Sequence, residues 1–435
     1  MLVELSITNF KSIKTTQTFS MLPASKIKER RNDLINVPNY AGLYLLRSAI
    51  LYGANNAGKS NVLKSFYALR YLVEKSHTFN EGQKITPNEY FMFDQKTVQQ
   101  PTIFVVDFIA QDGLRYEYKC EFDSNNILFE SLYYYPTGRQ KESKTKLYVR
   151  VNGKKMDFNK DIKGLKRSLE KDLGHNQLFL SKTGNNNPER LKPVYDFFSS
   201  ISNHFLDINA FEQQELRKAV TNMITNDDSY RQKIADLLRS TDTGIVDIHV
   251  EENKINNFHF PDELPDDLKQ KLVQKLVQEL KFAVKTTHRM FDGGQEIGNK
   301  KISLEQESDG TQKLFTIGGF MYEALQKGQV MLIDELDKSL HSELTSRLID
   351  LFNNDNSNPN NAQLILSTHD STLLNNFDKD QIYFVEKDYY GQSELTALAD
   401  IEGVRKNVNR EQWYRAGRFG AVPTIKSSLN FISNG

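Results

Sequence analysis

The sequence predicts an α/β protein: a mixed sheet that carries a phosphate-binding loop, an antiparallel β subdomain and a mainly helical insertion. Three observations support this fold class. A glycine-rich loop at 53–60 lies between an apolar strand pattern and a helical pattern. A second apolar strand, at 329–333, is followed by two carboxylates. Within 101–150, apolar and polar residues alternate with a period of two, which is typical of antiparallel strands.

The composition is that of a globular protein. The 435 residues include 56 basic and 56 acidic ones, so a strongly basic nucleic-acid coat and an acidic disordered chain are both excluded. No apolar run approaches the roughly 18 residues that predict a membrane span, and the first residues do not resemble a secretory signal. Cys120 is the only cysteine, which excludes an intrachain disulfide and a cysteine-based zinc site. We therefore expect a cytoplasmic protein without a membrane segment.

The glycine-rich loop reads GANNAGKS and matches the pattern G-x-x-x-x-G-K-[ST]. A phosphate chain needs backbone N–H groups that converge on it, and Gly53 and Gly58 allow that close approach. Lys59 is expected to place its charge beside the β- and γ-phosphates, and Ser60 to place its hydroxyl on Mg²⁺. Asn56 stands where glycine is common, and asparagine tolerates left-handed backbone better than most residues.

Two further strands end in groups that suit this chemistry. Asp334 is expected to hold Mg²⁺, and the adjacent Glu335 to polarise the attacking water. His369 follows the next apolar strand, from which it could donate a hydrogen bond to the γ-phosphate. A solvated acidic turn and a structural histidine are the alternatives. These two alternatives are disfavoured because a phosphate loop is present in the same chain.

The segment LEQESDGTQKL contains the pattern S-x-G-x-Q, formed by Ser308, Gly310 and Gln312, at the start of an apolar helix. A serine hydroxyl and glycine amides at a helix N-terminus favour an anion. Because the chain already has one phosphate loop, this second anion site is most useful when it is offered to the γ-phosphate of a partner copy. The alternative is that Ser308 only caps the helix.

The remaining segments are less informative about chemistry. The run 102–135 predicts an antiparallel hairpin continued by a third strand. Residues 185–300 read as mainly helical, and the clearest piece is an amphipathic helix at 265–284 that we expect to pack on its own domain. We divide the chain into an N-terminal lobe at 1–182, a helical insertion at 183–300 and a C-terminal lobe at 301–435.

Together these motifs resemble an ABC-type ATPase of the SMC/RecF/OLD lineage. The matching segments are an N-F-K-S start, Walker A, the ABC signature, Walker B, a D-loop with histidine in place of the usual aspartate, and a switch histidine: Asn9–Ser12, Gly53–Ser60, Ser308–Gln312, Val330–Glu335, Lys338–His341 and His369. The signature reads ESDGTQ rather than LSGGQ. With the late segment 413–425, it is similar to compact RloA-like bacterial anti-phage ATPases of the AAA_15 and AAA_21 type, such as the ATPase subunit of the PARIS system.

The resemblance implies an SMC-head-like core, ATP and Mg²⁺ as cofactors, and a head-to-tail homodimer or higher homo-oligomer with each ATP between one copy's Walker A and the other's signature. In this reading Glu335 and His369 are catalytic, Ser60 and Asp334 hold the metal, and the other ATP contacts come from Lys11, Gly53, Asn55, Gly58, Lys59, Asn61, Ser308, Gly310 and Gln312. Gln177 is a candidate for the Q-loop glutamine.

Two functions remain open at this point. The first is an ATPase sensor or scaffold that controls a separately encoded effector, a toxin or nuclease, in anti-phage defence. Only a short stretch follows His369 in this sequence, so we expect no nuclease domain of its own. The second is a RecF- or SMC-like DNA-binding ATPase in repair or maintenance. It draws on 141–182, where 12 Lys and Arg face 5 Asp and Glu. An ABC transporter subunit is disfavoured by the signature and by the N-F-K-S start.

Overall fold

The computed structural model describes residues 1–24, 31–86, 88–138, 143–152, 156–159, 172–184, 190–205, 210–252, 265, 267–269, 282–405 and 408–422. The strands are β1 (Leu2–Thr8), β2 (Gln17–Ser20), β3 (Leu34–Asn36), β4 (Tyr44–Leu46), β5 (Ser48–Tyr52), β6 (Thr102–Ile109), β7 (Arg115–Phe122), β8 (Ile127–Tyr135), β9 (Thr145–Val151), β10 (Asp157–Phe158), β11 (Ser202–Phe205), β12 (Ile245–Glu252), β13 (Phe282–Asp292), β14 (Gln295–Ser303), β15 (Val330–Ile333), β16 (Gln363–Ser367), β17 (Ile382–Lys387) and β18 (Ser393–Ala397). The α-helices are α1 (Lys59–Lys75), α2 (Phe179–Gly184), α3 (Lys192–Ser199), α4 (Ala210–Asn226), α5 (Asp228–Arg239), α6 (Asp309–Lys327), α7 (Ser342–Phe352) and α8 (Arg410–Arg415).

The chain divides into two compact units. The first comprises 1–206, 327–337 and 345–435, and the second comprises 207–326 and 338–344. These boundaries differ from the division at 182 and 300 that the sequence suggested, because the second unit continues past 300 to include the signature helix α6. Each unit is described separately below.

The first unit is built on two sheets. One has six strands in the order β11-β15-β16-β5-β17-β18, all parallel to their neighbours except β18. The other has seven strands in the order β10-β9-β8-β7-β6-β1-β2, and all of its pairs are antiparallel. The predicted α/β class, with a mixed sheet and an antiparallel subdomain, is confirmed.

Helix α1 joins the two sheets of the first unit through its apolar stripe. Val62, Leu63, Phe66, Leu69 and Leu72 recur at helical spacing, and all five are buried. They belong to one hydrophobic cluster with side chains from β1, β6, β7, β15 and β16. Burial of each large apolar side chain contributes on the order of 1.5–3 kcal/mol. The phosphate loop therefore precedes a helix that is held firmly in the core.

The predicted strand 45–53 is interrupted at Arg47, so β4 and β5 lie in different sheets. The Arg47 side chain is buried and donates to the carbonyl of Asn358 at 2.9 Å, and it also pairs with Asp355. A buried guanidinium needs such partners, and they tie β5 to the loop after α7. Only the β5 part of the segment leads into the phosphate loop.

The second unit contains more β structure than the sequence suggested. Beside the helices α4 and α5 it has an antiparallel sheet in the order β12-β13-β14. The helix expected at 265–284 was wrong at its end, because residues from Phe282 onward form β13. Within that expected helix, residues 267–269 are helical, whereas 266 and 270–281 lie outside the described residues.

Two glycines allow helix α6 to pack closely in the second unit. A Cβ atom added at Gly318 would lie 2.3 Å from Cδ2 of Leu237, and one at Gly319 would lie 2.6 Å from Cγ1 of Val220. Leu237 is on α5 and Val220 on α4, so a larger residue at either position would push a helix away. The helix that carries the signature is thus positioned by side chains of the insertion.

Candidate functional site

Three neighbouring parallel strands of the first unit bring the sequence-predicted residues to one edge of the sheet. In the order β15-β16-β5, Ile333 pairs with Leu366, and Ser367 pairs with Leu51. The acidic pair follows β15, the histidine follows β16 and the phosphate loop follows β5. The carboxyl ends of adjacent parallel strands are a common position for ligand sites in α/β proteins.

The phosphate loop has two residues with left-handed backbone. Asn56 has φ 65°, which confirms the conformation expected for it, and Gly58 has φ 113°. A Cβ atom at Gly58 would lie 2.2 Å from Oγ of Ser393 and 2.8 Å from Oγ of Ser12, so both conformation and space require glycine. Ser393 in turn donates to the carbonyl of Ala57 at 2.6 Å. The first residue of β18 therefore packs against the phosphate loop and stabilises it.

The reason for the first glycine of the loop differs from the one inferred from sequence. A Cβ atom at Gly53 would lie 2.3 Å from the backbone oxygen of Val385, on the neighbouring strand β17. Glycine is needed here for close packing of two strands. Asn55 and Asn56 are exposed, which leaves the middle of the loop open to a ligand.

Lys59 lies at the centre of the site. Its residue is 5% exposed, and its Nζ donates to the carbonyls of Gly53 at 2.9 Å and Ala54 at 3.3 Å. Nζ also lies 3.3 Å from Nε2 of His369. Burial lowers the pKa of Lys59, while the nearby Asp334, Glu335 and Asp337 act to raise it. The lysine and these carboxylates thus form one electrostatic cluster.

Ser367, at the end of β16, holds the acidic pair in place. Its hydroxyl donates to Oδ1 of Asp334 and accepts a hydrogen bond from the backbone N–H of Glu335 at 2.9 Å. Glu335 has φ 51°, a strained value for a residue with a side chain. Its Oε1 lies 3.5 Å from Nε2 of His369. Sequence reasoning missed Ser367, although its place directly before Thr368 and His369 could have indicated it.

Asp337 is a second residue that sequence reasoning missed. Its Oδ2 accepts a hydrogen bond from the backbone N–H of His369 at 3.3 Å. Its Oδ1 is buried, and among the described residues it has no hydrogen-bond partner. A buried unpaired carboxylate oxygen is costly, and such groups cluster at functional sites. The signal in the sequence is a third carboxylate two positions after Glu335.

The residues present fit Mg²⁺ bound together with a nucleotide. Within the described parts of the chain, no group of three or more His, Cys, Asp or Glu side chains could hold a metal by itself. Mg²⁺ is usually bound by one or two carboxylates, waters and substrate phosphates rather than by an all-protein cage. Ser60, at the start of α1, and Asp334, whose Oδ1 is oriented by Ser367, offer such a partial set.

The turn after β1 carries two of the predicted contacts. Lys11 has φ 50°, and its ammonium forms a salt bridge with Glu89. Nδ2 of Asn61 donates to Oγ of Ser12 at 2.7 Å, which ties α1 to this turn. In the structure these two side chains are therefore engaged within the protein, and their contact with a nucleotide stays a prediction.

The signature residues belong to the second unit. Oγ of Ser308 accepts a hydrogen bond from the backbone N–H of Thr311 at 3.2 Å, so the serine does cap helix α6. Nε2 of Gln312 donates back to the carbonyl of Glu307 at 2.9 Å. A Cβ atom at Gly310 would lie 2.9 Å from the backbone oxygen of Ser339, in the segment that resembles a D-loop. The predicted motif is thus a compact turn against that segment.

Glu307, next to the signature serine, is held by strand β13. Its Oε1 accepts from Nε2 of His288 at 2.7 Å and from the hydroxyl of Thr286. This contact links the three-stranded sheet of the second unit to the signature turn. Nothing in the sequence pattern indicated it, because the partners lie about 20 residues apart on different elements.

The side chain of Gln177 forms hydrogen bonds with backbone groups of the protein. Its Nε2 donates to the carbonyls of His77 at 3.2 Å and Phe79 at 2.8 Å, and its Oε1 accepts from the N–H of Gly174 at 3.0 Å. All of its polar atoms are used, and the residue is buried. The structure thus gives Gln177 a structural role and does not support it as the Q-loop residue.

Comparison with protein families finds a match to the AAA_21 family, described as "AAA domain, putative AbiEii toxin, Type IV TA system", over residues 48–175 and 150–375. These ranges cover most of the chain, including the phosphate loop, the signature, the acidic pair and the histidine. Comparison with curated proteins finds no match.

Among solved structures, the chain is similar at low identity to SMC head domains and to RecF. One is an SMC head bound to the C-terminal winged-helix domain of ScpA, with 13% identity, TM-score 0.46, and coverage of 91% of this chain and 96% of that one. Another is the SMC head domain from Thermotoga maritima, with 14% identity, TM-score 0.40, and coverage of 91% and 98%. The recombination mediator protein RecF with ATP gives 12% identity, TM-score 0.36, and coverage of 91% and 97%.

Proposed function

The chain belongs to the AAA_21 family of AAA domains, an ATPase family, and on that premise we propose that it binds and hydrolyses Mg-ATP. The observation that carries this proposal is the contact of Lys59 with His369, which itself lies beside Glu335. One imidazole thus joins the loop that would bind the phosphates to the carboxylate that would activate water. The membership also agrees with the AAA_21 type expected from the sequence.

The residues of the first unit divide the chemistry among them. Lys59 is placed to exchange its loop carbonyls for phosphate oxygens, since its ammonium is a donor that can form charge-assisted hydrogen bonds with phosphate. Glu335 is placed to orient and polarise a water, and His369 to hydrogen-bond the γ-phosphate. Ser60 and Asp334 would hold Mg²⁺, which supplies charge neutralisation on the phosphates.

We propose further that two copies complete each site. The turn formed by Ser308, Gly310 and Gln312 opens a helix of 19 residues, and the N-terminus of such a helix favours an anion. In this proposal each ATP lies between the phosphate loop of one copy and the signature turn of its partner. ATP then holds the dimer together, and hydrolysis releases it.

The biological output that we propose is control of a separately encoded effector in anti-phage defence. Support comes from the ESDGTQ signature, the late segment 413–425 and the family description, which names a toxin of a type IV toxin–antitoxin system. We propose RloA-like ATPases, with the PARIS subunit among them, as its nearest functional group and the cytoplasm as its location. None of the described helices is long and apolar enough to cross a membrane.

DNA binding is the alternative output, and the structure weakens its main support. Of the basic residues in 141–182, Lys144 pairs with Glu117 and Lys146 with Asp157. Arg150 is buried and donates to the carbonyls of Gln177 and Gly174. Arg150 is therefore used inside the protein, and Lys144 and Lys146 are engaged in ion pairs at its surface. Residues 141–142, 153–155 and 160–171 of the same segment lie outside the described ones.

The test of the ATPase proposal uses ATP binding by calorimetry and phosphate release. The wild type should bind Mg-ATP and turn it over, and Lys59→Ala should lose both, whereas Lys84→Ala, which removes an exposed lysine, should behave as wild type. Wild-type protein that neither binds nor hydrolyses ATP would refute the proposal.

The test of the proposed effector control is co-purification. Glu335→Gln should co-purify with a neighbouring gene product during phage challenge, and the ATP turnover of the wild type should not respond to duplex DNA.

A further inference from the structure

Two loops of the first unit carry the four most exposed large apolar side chains among the described residues. These side chains, which we call the aromatic rim, are 74%, 72%, 96% and 73% exposed in the order Met92, Phe93, Tyr389 and Tyr390. Single exposed apolar residues are ordinary, but a cluster of them marks a binding surface. The rim therefore needs an explanation.

The two loops of the rim touch each other. A Cβ atom added at Gly391 would lie 3.2 Å from Cδ2 of Phe93, so the ring of Phe93 packs directly on the turn 388–392. On that turn the rings of Tyr389 and Tyr390 are 5.4 Å apart and nearly perpendicular. Phe93 thus joins the two loops, and Met92 precedes it directly in the chain.

The turn 388–392 is anchored to the phosphate loop on both sides. Before it, Nζ of Lys387 donates to Oδ1 of Asn56 at 3.0 Å. After it, the hydroxyl of Ser393 donates to the carbonyl of Ala57 at 2.6 Å. Tyr389 is only two residues from Lys387, and two residues span at most about 7 Å of chain. The rim therefore begins within a short distance of the loop that would hold the phosphates.

The turn is also ordered from within. Oδ1 of Asp388 accepts from the backbone N–H of Tyr390 at 2.9 Å and of Gln392 at 2.8 Å. The backbone N–H of Gly391 donates to the carbonyl of Asp388 at 3.1 Å. These bonds hold the backbone between the two tyrosines, so their rings are presented from a defined position.

The second loop of the rim is anchored to the turn after β1. Lys11 forms its salt bridge with Glu89, and the backbone N–H of Phe91 donates to Oδ1 of Asn9 at 3.0 Å. Phe91 is buried, and its ring meets that of Phe93 at 5.6 Å in a T-shaped contact. The backbone N–H of Ser393, directly after the turn 388–392, donates to the carbonyl of Ser12 at 2.7 Å. Both loops therefore flank the Asn9–Ser12 turn, which also contacts α1 through Asn61.

We infer that the aromatic rim is the platform for the base of the bound nucleotide. This inference rests on the proposed nucleotide site and identifies the part of the ligand that the phosphate loop does not bind. A nucleobase is a flat π-system that stacks on tyrosine and phenylalanine rings. The anchors at Asn56 and Ala57 favour this ligand because they place the rings beside the phosphate loop. Stacking tolerates different bases, because every base has a π-face.

The experiment separates the base from the phosphates. The Kd values of Mg-ATP and of Mg-tripolyphosphate, which has no base, are measured by calorimetry for the wild type and for Tyr389→Ala/Tyr390→Ala. Loss of one stacked base contact should weaken ATP binding about 5- to 150-fold and leave tripolyphosphate within about twofold. Tyr389→Phe/Tyr390→Phe keeps both rings and should retain wild-type affinity for ATP. Phe291→Ala, which removes an exposed ring of β13, is the matched control.

Every other outcome of this experiment overturns the inference. Equal weakening of both ligands would mean that the variant damages the phosphate loop, and an unchanged Kd of ATP would mean that the base does not lie on the rim. Either result overturns the inference while the ATPase proposal survives. If the tyrosine variant changes only the sedimentation of the protein, the rim is a protein interface and the inference is again wrong. A wild type that binds neither ligand overturns both proposals.

Discussion

Nζ of Lys59 lies 3.3 Å from Nε2 of His369, although 310 residues separate them in the sequence. The same Nε2 is 3.5 Å from Oε1 of Glu335. The imidazole is thus held between the lysine and the carboxylate, and arrival of a γ-phosphate would change both contacts.

Replacing Glu335 with glutamine should separate ATP binding from hydrolysis. The amide keeps the shape of the side chain but cannot polarise water as a carboxylate does. We expect Kd for ATP within a few-fold of wild type, phosphate release reduced at least about 100-fold, and accumulation of dimers in size-exclusion chromatography with ATP.

The matched control for Glu335 is Glu81→Gln, at an exposed position outside the site. It should hydrolyse ATP at the wild-type rate. Wild-type turnover in Glu335→Gln would show that another group activates the water.

Replacing Ser308 with arginine should test the composite site. Its hydroxyl caps α6, and an arginine there would fill the space in front of the helix N-terminus. ATP binding to single subunits should persist, while ATP-dependent dimerisation and turnover are abolished. Asn299→Arg, on the exposed part of β14, adds the same side chain and should retain activity.

The outcome for Ser308 discriminates between one-copy and two-copy sites. Full turnover with the arginine in place would contradict the two-copy site. Loss of ATP binding itself would also count against it, since the phosphate loop belongs to the first unit.

Gly58→Ala should destabilise the fold as well as the site. The new Cβ would meet the hydroxyls of Ser393 and Ser12 and force a side chain into φ 113°. Strain and overpacking together should lower the free energy of unfolding, measured in urea, by about 2–5 kcal/mol.

The control for this substitution is Gly82→Ala, where φ is +75° and nothing lies within 4 Å of the added Cβ. Gly82→Ala should lower the free energy of unfolding only by the cost of placing a side chain on left-handed backbone, about 1–2 kcal/mol. Equal losses in the two variants would show that the contacts with Ser393 and Ser12 are unimportant.

Cys120 should be a reporter of unfolding. It is fully buried on β7, and burial, with the charge of Glu130 second, raises the pKa of its thiol. Since only the thiolate reacts, a disulfide reagent at pH 8 should label native protein negligibly over an hour and label every chain in 8 M urea. Rapid labelling in native buffer would indicate that β7 opens readily.

The sequence alone was enough to predict the residue types that carry the chemistry and the local elements that hold them. The glycine loop between β5 and α1, the carboxylates after β15 and the serine at the start of α6 follow local rules: apolar period, turn chemistry and capping. Such rules act over a few residues. For that reason the α/β class and the antiparallel strands were also predicted correctly.

Only the tertiary structure decided which of these groups meet. Strand order places His369 between Lys59 and Glu335, and it supplies Ser367 and Asp337, which no motif had indicated. The residues from Phe282 onward, which were expected to end a helix, form β13 instead. Their pairing with β12 and β14 outweighs a weak local preference for helix. Contacts between distant segments depend on strand order and packing, and a one-dimensional pattern contains neither.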